Sequence, residues 1–97
     1  MPTYIILVNW TDQGLRNVRD TVTRAEALDE LAEKHGGKNE RLYWTVGLYD
    51  LVSIFEAPND KSATAFTLEA ASGGNVRTTT MRTYDQAEMS EIIEKLG

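Results

Sequence analysis

The residues best suited to chemistry are grouped in one short segment, Gly47-Leu48-Tyr49-Asp50, which is followed at once by an apolar run. Glycine accepts backbone angles that other residues avoid, and an aspartate carboxylate readily accepts a nearby backbone N–H. One interpretation is therefore a hairpin loop, with the Tyr49 ring packed against the sheet edge. The other makes Asp50 an anchor for the ammonium or hydroxyl group of a ligand, with Tyr49 as a further ligand-binding candidate. Turns use these residue types routinely, which favours the structural interpretation.

Three further side chains and one of two arginines are also candidates for a ligand site. Asn9 and Trp10 end a predicted first strand, and Trp44 lies on a predicted second strand. Tryptophan is also a common core and interface residue, and that plainer interpretation is favoured here. Arg77 and Arg82 are five residues apart on a predicted strand, so they point to opposite faces of the sheet. The pattern does not decide which of them faces a cavity, where an arginine could meet a carboxylate or phenolate; Arg82 joins the candidate ligand-binding residues.

His35 is the only histidine, and it directly precedes Gly36-Gly37 at the end of a predicted helix. The helix dipole favours a cationic side chain at that position, so the pattern predicts a structural role. The sequence has no cysteine, which excludes disulfides, thiolate zinc sites and cysteine nucleophiles. It also lacks the spacing of a phosphate loop or a nucleophile elbow. We therefore expect neither a metal site nor a cofactor.

The charge balance restricts the partners. Fifteen acidic and ten basic residues give a net charge of −5, which disfavours nucleic-acid binding. One arginine cluster has carboxylates interleaved and therefore predicts a mixed, solvated face: Arg16, Arg19 and Arg24, with Asp12, Asp20 and Glu26. The apolar run 4–8 is too short for a signal sequence, and nothing approaches the roughly 20 apolar residues that span a bilayer. We expect a cytoplasmic protein without membrane contact, folded as one domain over residues 1–97.

The hydrophobic patterns predict the order β-α-β-β-α-β followed by a C-terminal helix. The predicted strands cover residues 3–9, 41–46, 51–56 and 76–84, and the predicted helices begin at a capping box at 23–26, at Asn59 or Asp60, and at Asp85. This order is typical of an α+β ferredoxin-like fold, in which helices lie on one side of an antiparallel sheet.

The first and third predicted strands are apolar on both faces. On the first strand, Ile5 and Leu7 point to one face while the apolar residues next to them point to the other. On the third strand, Val52 and Ile54 likewise point to the face opposite to that of their apolar neighbours. An antiparallel sheet with one solvated face should instead alternate between apolar and polar residues. We therefore expect a homodimer in which the second sheet face packs against its copy in another subunit.

Three segments, MPTYIILVNWTDQG, YWTVGLYDLVSIFEAPND and GGNVRTTTMR, resemble the GYD family of small bacterial and archaeal proteins. Gly47, Tyr49 and Asp50 match the letters that name the family. The resemblance implies a ferredoxin-like fold of the dimeric α/β-barrel kind and no particular activity. Residues 47–51 are also similar to the effector-binding domain of Lrp/AsnC-type regulators, which binds amino acids near subunit interfaces. The helix-turn-helix of those regulators is lacking, so the similarity implies only a stand-alone ligand-binding domain.

Three functional hypotheses follow. The first is a non-catalytic protein that binds a small organic molecule in the barrel cavity or at a subunit interface. The second is a cofactor-independent monooxygenase or isomerase acting on an aromatic substrate, since some dimeric α/β-barrel proteins place Asn, Trp, His or Arg in the cavity. Asn9 and Trp44 fit that pattern, but His35 lies on a helix and argues against a haem role. The third is a structural assembly module without a ligand.

Overall fold

The computed structural model describes residues 1–97. Four strands and four α-helices follow one another along the chain: β1 (Thr3–Trp10), α1 (Asp12–Arg16), α2 (Thr21–Lys34), β2 (Lys38–Trp44), β3 (Leu51–Glu56), α3 (Asp60–Ser72), β4 (Val76–Arg82) and α4 (Gln86–Glu94). A single 3₁₀ turn, Val18–Asp20, joins α1 to α2.

The strands form one antiparallel sheet in the order β2-β3-β1-β4. β1 is central and pairs with β3 on one side and with β4 on the other. Each half of the chain contributes a strand, a helix and a second strand, and the two halves interleave in the sheet. This arrangement confirms the predicted α+β ferredoxin-like fold.

The core lies between the sheet and the helices α2 and α3. Tyr4, Ile6 and Val8 of β1 point into it, because alternate residues of a strand share a face. Phe55 of β3 is fully buried, and its ring meets that of Phe66 on α3 edge to face at a centroid distance of 4.4 Å. Such a pair adds roughly 0.5–1.5 kcal/mol beyond the burial of its apolar area.

The opposite side of the sheet is apolar but only partly covered. Its half-buried residues come from β1 and β3, and two exposed residues come from the flanking strands. We call these six residues the outer face: Ile5, Leu7, Val52, Ile54, Tyr43 and Met81. None of the residues of α4 is buried, so this helix does not seal the outer face.

The largest differences from the sequence prediction are at α2 and β2, while β1 ends one residue later and β4 two residues earlier than predicted. α2 begins at Thr21, with Asp20 at its N-cap, so the predicted capping box at 23–26 is wrong and Thr23 lies exposed inside the helix. β2 runs from Lys38 to Trp44 rather than over residues 41–46, with a register irregularity between Asn39 and Arg41. Pairing with β3 decides the extent of β2, because Lys, Asn and Glu have little strand propensity of their own.

The other helix starts agree with the prediction. Asn59 caps α3 by accepting the backbone N–H of Ser62. Asp85 and Glu88 form a reciprocal capping box at the start of α4, with hydrogen bonds of 2.8 and 3.0 Å. None of the helices combines the length and the apolar character that crossing a membrane requires.

Candidate functional site

The loop between β2 and β3, residues 45–50, is held by several hydrogen bonds. The Asp50 carboxylate accepts the Trp10 backbone N–H at 2.9 Å, and the Asp50 backbone N–H donates to the Val8 carbonyl at 2.8 Å. Thr45 closes the hairpin by donating its backbone N–H to the Asp50 carbonyl and its hydroxyl to the Tyr49 carbonyl. Asp50 therefore fixes the loop to the end of β1, as the structural interpretation predicts.

The tip of this loop is apolar and exposed. Val46 is fully exposed and Leu48 is 89% exposed, while Gly47 between them has a φ of +150° and open space around it. Asn9 holds the tip from below by donating its side-chain N–H to the Leu48 carbonyl at 2.8 Å. We call Val46, Gly47 and Leu48 the loop tip. A fixed backbone thus presents two aliphatic side chains to solvent.

A small pocket lies between the sheet and the helices. Its volume is about 50 Å³, and its lining is mainly apolar, with Trp10, Leu28, Phe66 and Val76 among the contributors. A wider cleft of about 390 Å³ between α2 and α3 adjoins it, and both spaces are lined by Arg24. We call the first space the inner pocket and the second the interhelical cleft.

Arg24 of α2 stands where the two spaces meet. One guanidinium nitrogen, Nη1, donates to the Asn17 carbonyl at 2.7 Å. The other, Nη2, is buried and has no hydrogen-bond partner within the chain. The predicted solvated face therefore holds for Arg16 and Arg19, which are exposed, but not for Arg24.

The six predicted site residues do not form one cluster. Asn9, Trp10, Tyr49 and Asp50 meet around loop 45–50, although only Trp10 lines the inner pocket. Trp44 lies on the helix side of β2, where its indole N–H donates to the Thr21 hydroxyl at 3.0 Å.

Arg82 lies at the opposite end of the sheet, opposite Tyr4 in the register of β1 and β4. Its guanidinium stacks over the Tyr84 ring at 4.5 Å and approaches the Tyr4 ring at 5.8 Å. Tyr4 donates its hydroxyl to the Asp60 carboxylate. Burial and that hydrogen bond raise the pKa of Tyr4 to about 12. Arg77 points to the outer side of the sheet, in register with Asn9, and is exposed.

His35 takes part in an ion-pair group between α2 and α3. The Glu69 carboxylate lies 2.9 Å from Lys34 Nζ and 3.0 Å from His35 Nε2. These two bonds hold the pKa of Glu69 below its usual value. The group joins two helices, in keeping with the structural role predicted for His35.

Sequence reasoning does not anticipate Arg24. Charge alone places it in a solvated face, among alternating arginines and carboxylates. Helical spacing carries the relevant signal, because Arg24 precedes Leu28 by one turn and follows the helix start by three residues. A guanidinium beside the apolar stripe of a helix lies at the edge of the core.

Comparison with known proteins assigns the chain to a family. The profile of the GYD domain matches residues 4–93. The chain belongs to the GYD family. A relative from Thermus thermophilus is 31% identical over 90 residues, spanning 92% of this GYD chain and 95% of the relative. That relative is named "Glutamine synthetase and cystathionine beta-lyase binding protein".

Solved structures share the fold of this GYD chain at low identity. MtbAldR superposes with a TM-score of 0.65 at 15% identity, over 88% of this chain and 54% of MtbAldR. FFRP-DM1 gives 0.60 at 24% identity, over 87% of this chain and all of FFRP-DM1. TTHA0845 from Thermus thermophilus gives 0.56 at 20% identity, over 88% of this chain and 95% of that protein. These likenesses support the ferredoxin-like fold alone.

Proposed function

We propose that this GYD chain is a non-catalytic, homodimeric protein that docks onto metabolic enzymes. The observation that carries the docking proposal is the loop tip, where two exposed aliphatic side chains stand on a backbone fixed by hydrogen bonds. A surface that is rigid before binding loses little conformational entropy on binding. The name of the Thermus relative supports the class of partner, an enzyme such as glutamine synthetase or cystathionine β-lyase.

The outer face supports self-association. Its six residues are apolar, and large uncovered apolar patches are unusual on monomeric proteins. Charged side chains of β2 and β4, Arg41 and Arg77, flank it, giving the apolar centre and polar rim that protein interfaces share. In this proposal the outer face joins two subunits and leaves the loop tip available to an enzyme.

Docking is tested by direct binding. The chain is immobilised, and purified glutamine synthetase and cystathionine β-lyase from the same organism are passed over it in an interferometry experiment. We expect saturable binding of at least one enzyme. The double variant Val46→Ser/Leu48→Ser should weaken it roughly a hundredfold or more, because fully burying each aliphatic side chain is worth about 1.5–3 kcal/mol.

A matched control removes an exposed leucine elsewhere. Leu68 of α3 is 67% exposed, so Leu68→Ser changes surface hydrophobicity without touching the loop tip. It should bind like the wild type. If neither enzyme binds the wild type, docking to these enzymes is wrong. If the double variant binds as tightly as Leu68→Ser, docking stands but the loop tip is not its surface.

A second candidate function is the binding of a small organic molecule, within the fold or at a subunit interface. The inner pocket and the interhelical cleft favour it, since the inner pocket is mainly apolar and the adjoining cleft combines apolar with polar side chains. A thermal-shift screen with amino acids and other small metabolites tests it, and a flat response across diverse compounds would contradict it.

The hypothesis of an enzyme for an aromatic substrate gains little support. A cavity of roughly 150 Å³ accommodates benzene, whereas the inner pocket measures about 50 Å³. Of the residues suggested for such a site, Trp10 lines this pocket, while Asn9 holds the loop tip and Trp44 bonds to α2. The third hypothesis, a structural assembly module without a ligand, agrees with the apolar outer face. It differs from the docking proposal because it requires no enzyme partner.

A further inference from the structure

We infer that the inner pocket and interhelical cleft bind a short, branched aliphatic monocarboxylate, with its carboxylate on Arg24 and its hydrocarbon divided between the two spaces. This inference rests on the second candidate function, ligand binding, and is independent of enzyme docking.

Arg24 carries a hydrogen-bond donor that has no partner within the chain. A buried guanidinium nitrogen without a partner costs free energy, because water no longer solvates it and nothing replaces the lost hydrogen bond. Arg24 Nη2 is in that position, while Nη1 on the same group is bonded to Asn17. Guanidinium groups bind carboxylates through parallel N–H···O bonds, so a carboxylate is the ligand group that suits this donor.

Several other polar groups that line the two spaces already have hydrogen-bond or ion-pair partners. In the inner pocket Ser53 donates to the Asn39 side chain at 2.7 Å, and Asn39 donates in turn to Asp29 at 3.2 Å. The carboxylate in the lining of the interhelical cleft, Glu69, is paired with Lys34 and His35. Arg24 is therefore the cation in the lining of these two spaces, and it takes part in no ion pair that an incoming anion would have to break.

The volume of the inner pocket limits the size of the ligand. The inner pocket, at about 50 Å³, is about a third of the roughly 150 Å³ that hold a benzene ring. Its lining is mainly aliphatic and aromatic, and Ile6, Leu28 and Val76 contribute to it. The inner pocket therefore admits only the end of a short branched chain, and the adjoining interhelical cleft of about 390 Å³ accommodates the rest of the ligand. An added α-ammonium group would bring a second cation beside Arg24, so we expect 2-amino acids to bind less well.

The test uses isovalerate as the probe, with isovaleramide as a neutral compound of the same shape. Titrations of the full chain are followed by ¹H–¹⁵N NMR. We expect saturable shift changes at Ala25, Leu28 and Val76 with isovalerate, and at least tenfold weaker binding of isovaleramide and of valine. Arg24→Gln should weaken isovalerate binding at least tenfold, whereas Arg19→Gln, an exposed arginine outside both spaces, should leave it unchanged.

A second variant guards against misfolding of Arg24→Gln. Ala70 lines both spaces, so Ala70→Leu should obstruct the site while keeping the guanidinium, and it should also weaken isovalerate binding. Equal binding of isovalerate and isovaleramide would overturn the carboxylate assignment while leaving ligand binding intact. A lack of response to both compounds would overturn the inference, and a flat metabolite screen alongside it would count against ligand binding as a whole.

Discussion

Asp50 joins three backbone segments. Its carboxylate accepts the Trp10 N–H, its backbone N–H donates to Val8, and its carbonyl accepts the Thr45 N–H. One residue therefore ends the hairpin and aligns it with the central strand. In the docking proposal this is also what holds Val46 and Leu48 in place, so Asp50 contributes to binding through the loop it positions.

Replacing Asp50 with alanine should destabilise the fold. The Trp10 N–H loses a charged acceptor, and such bonds contribute roughly 1.5–3 kcal/mol; because Asp50 is only half-buried, we expect the free energy of unfolding to fall by about 1–2 kcal/mol. Asp50→Asn keeps an acceptor oxygen and should recover at least half of the loss. Urea denaturation measures both variants. An Asp50→Ala chain as stable as the wild type would contradict this role.

Tyr4 should make the fold sensitive to alkali. Its pKa in the folded chain, about 12, exceeds the ordinary value of 10.0, so its contribution is fully present below pH 10 and is lost as the pH rises towards 12. A shift of this size corresponds to roughly 2–3 kcal/mol. Tyr4→Phe lacks the ionisation, so urea unfolding at pH 9 and pH 11 should show the stability difference between wild type and variant shrinking with pH. If the stability difference between wild type and Tyr4→Phe is the same at pH 9 and pH 11, the predicted effect of Tyr4 ionisation is contradicted.

α2 and α3 are linked on their exposed sides by the Glu69 group. Lys34 and His35 end α2, where positive charge is favoured by the helix dipole, and Glu69 of α3 accepts from both. The interhelical cleft runs between the same two helices and includes Glu69 in its lining. The ion-pair group therefore holds the spacing of the helices at one side of the cleft.

Glu69→Gln should lower the melting temperature slightly at pH 7. The folded-state pKa of Glu69 is depressed, so its stabilising effect is present above the ordinary value of 4.5 and is lost as the pH falls below it. The difference in melting temperature from wild type should therefore shrink as the pH is lowered from 7 to 3. Glu33→Gln, an exposed neighbour on α2, is the control and should change little at either pH. Calorimetry measures the melting temperatures at both pH values. If Glu69→Gln lowers the melting temperature as much at pH 3 as at pH 7, the ion-pair explanation is contradicted.

The sequence predicts some elements better than others for physical reasons. The predicted bounds of β3 match the observed ones, since it is a short, mainly apolar run that Pro58 closely follows. The predicted β2 is displaced along the chain, because Lys38 and Asn39 become strand residues only through pairing with β3. The loop role of Asp50 follows from local turn chemistry. The burial of Arg24 does not follow from the sequence, since it depends on which side of α2 the sheet and α3 cover.

The apolar outer face leads us to predict the oligomeric state of the protein. We expect a dimer in sedimentation velocity at micromolar concentration, and Ile54→Lys should convert it to a monomer by placing a charge among the six apolar residues. Leu68→Lys introduces the same charge on α3, away from the outer face, and should leave the dimer intact. A wild-type chain that sediments as a monomer would contradict the homodimer, although docking through the loop tip would remain testable.

The central place of β1 has a consequence for synthesis on the ribosome. β1 emerges first, yet its neighbours β3 and β4 begin only at Leu51 and Val76. This largely apolar strand therefore stays unpaired until β3 has been translated, and one of its edges stays unpaired until β4 has been translated. Long-range pairing of this kind is slow, and unpaired apolar strands are prone to aggregation. The nascent chain is thus most exposed to misassociation, and most dependent on chaperones, before Arg82 has left the exit tunnel.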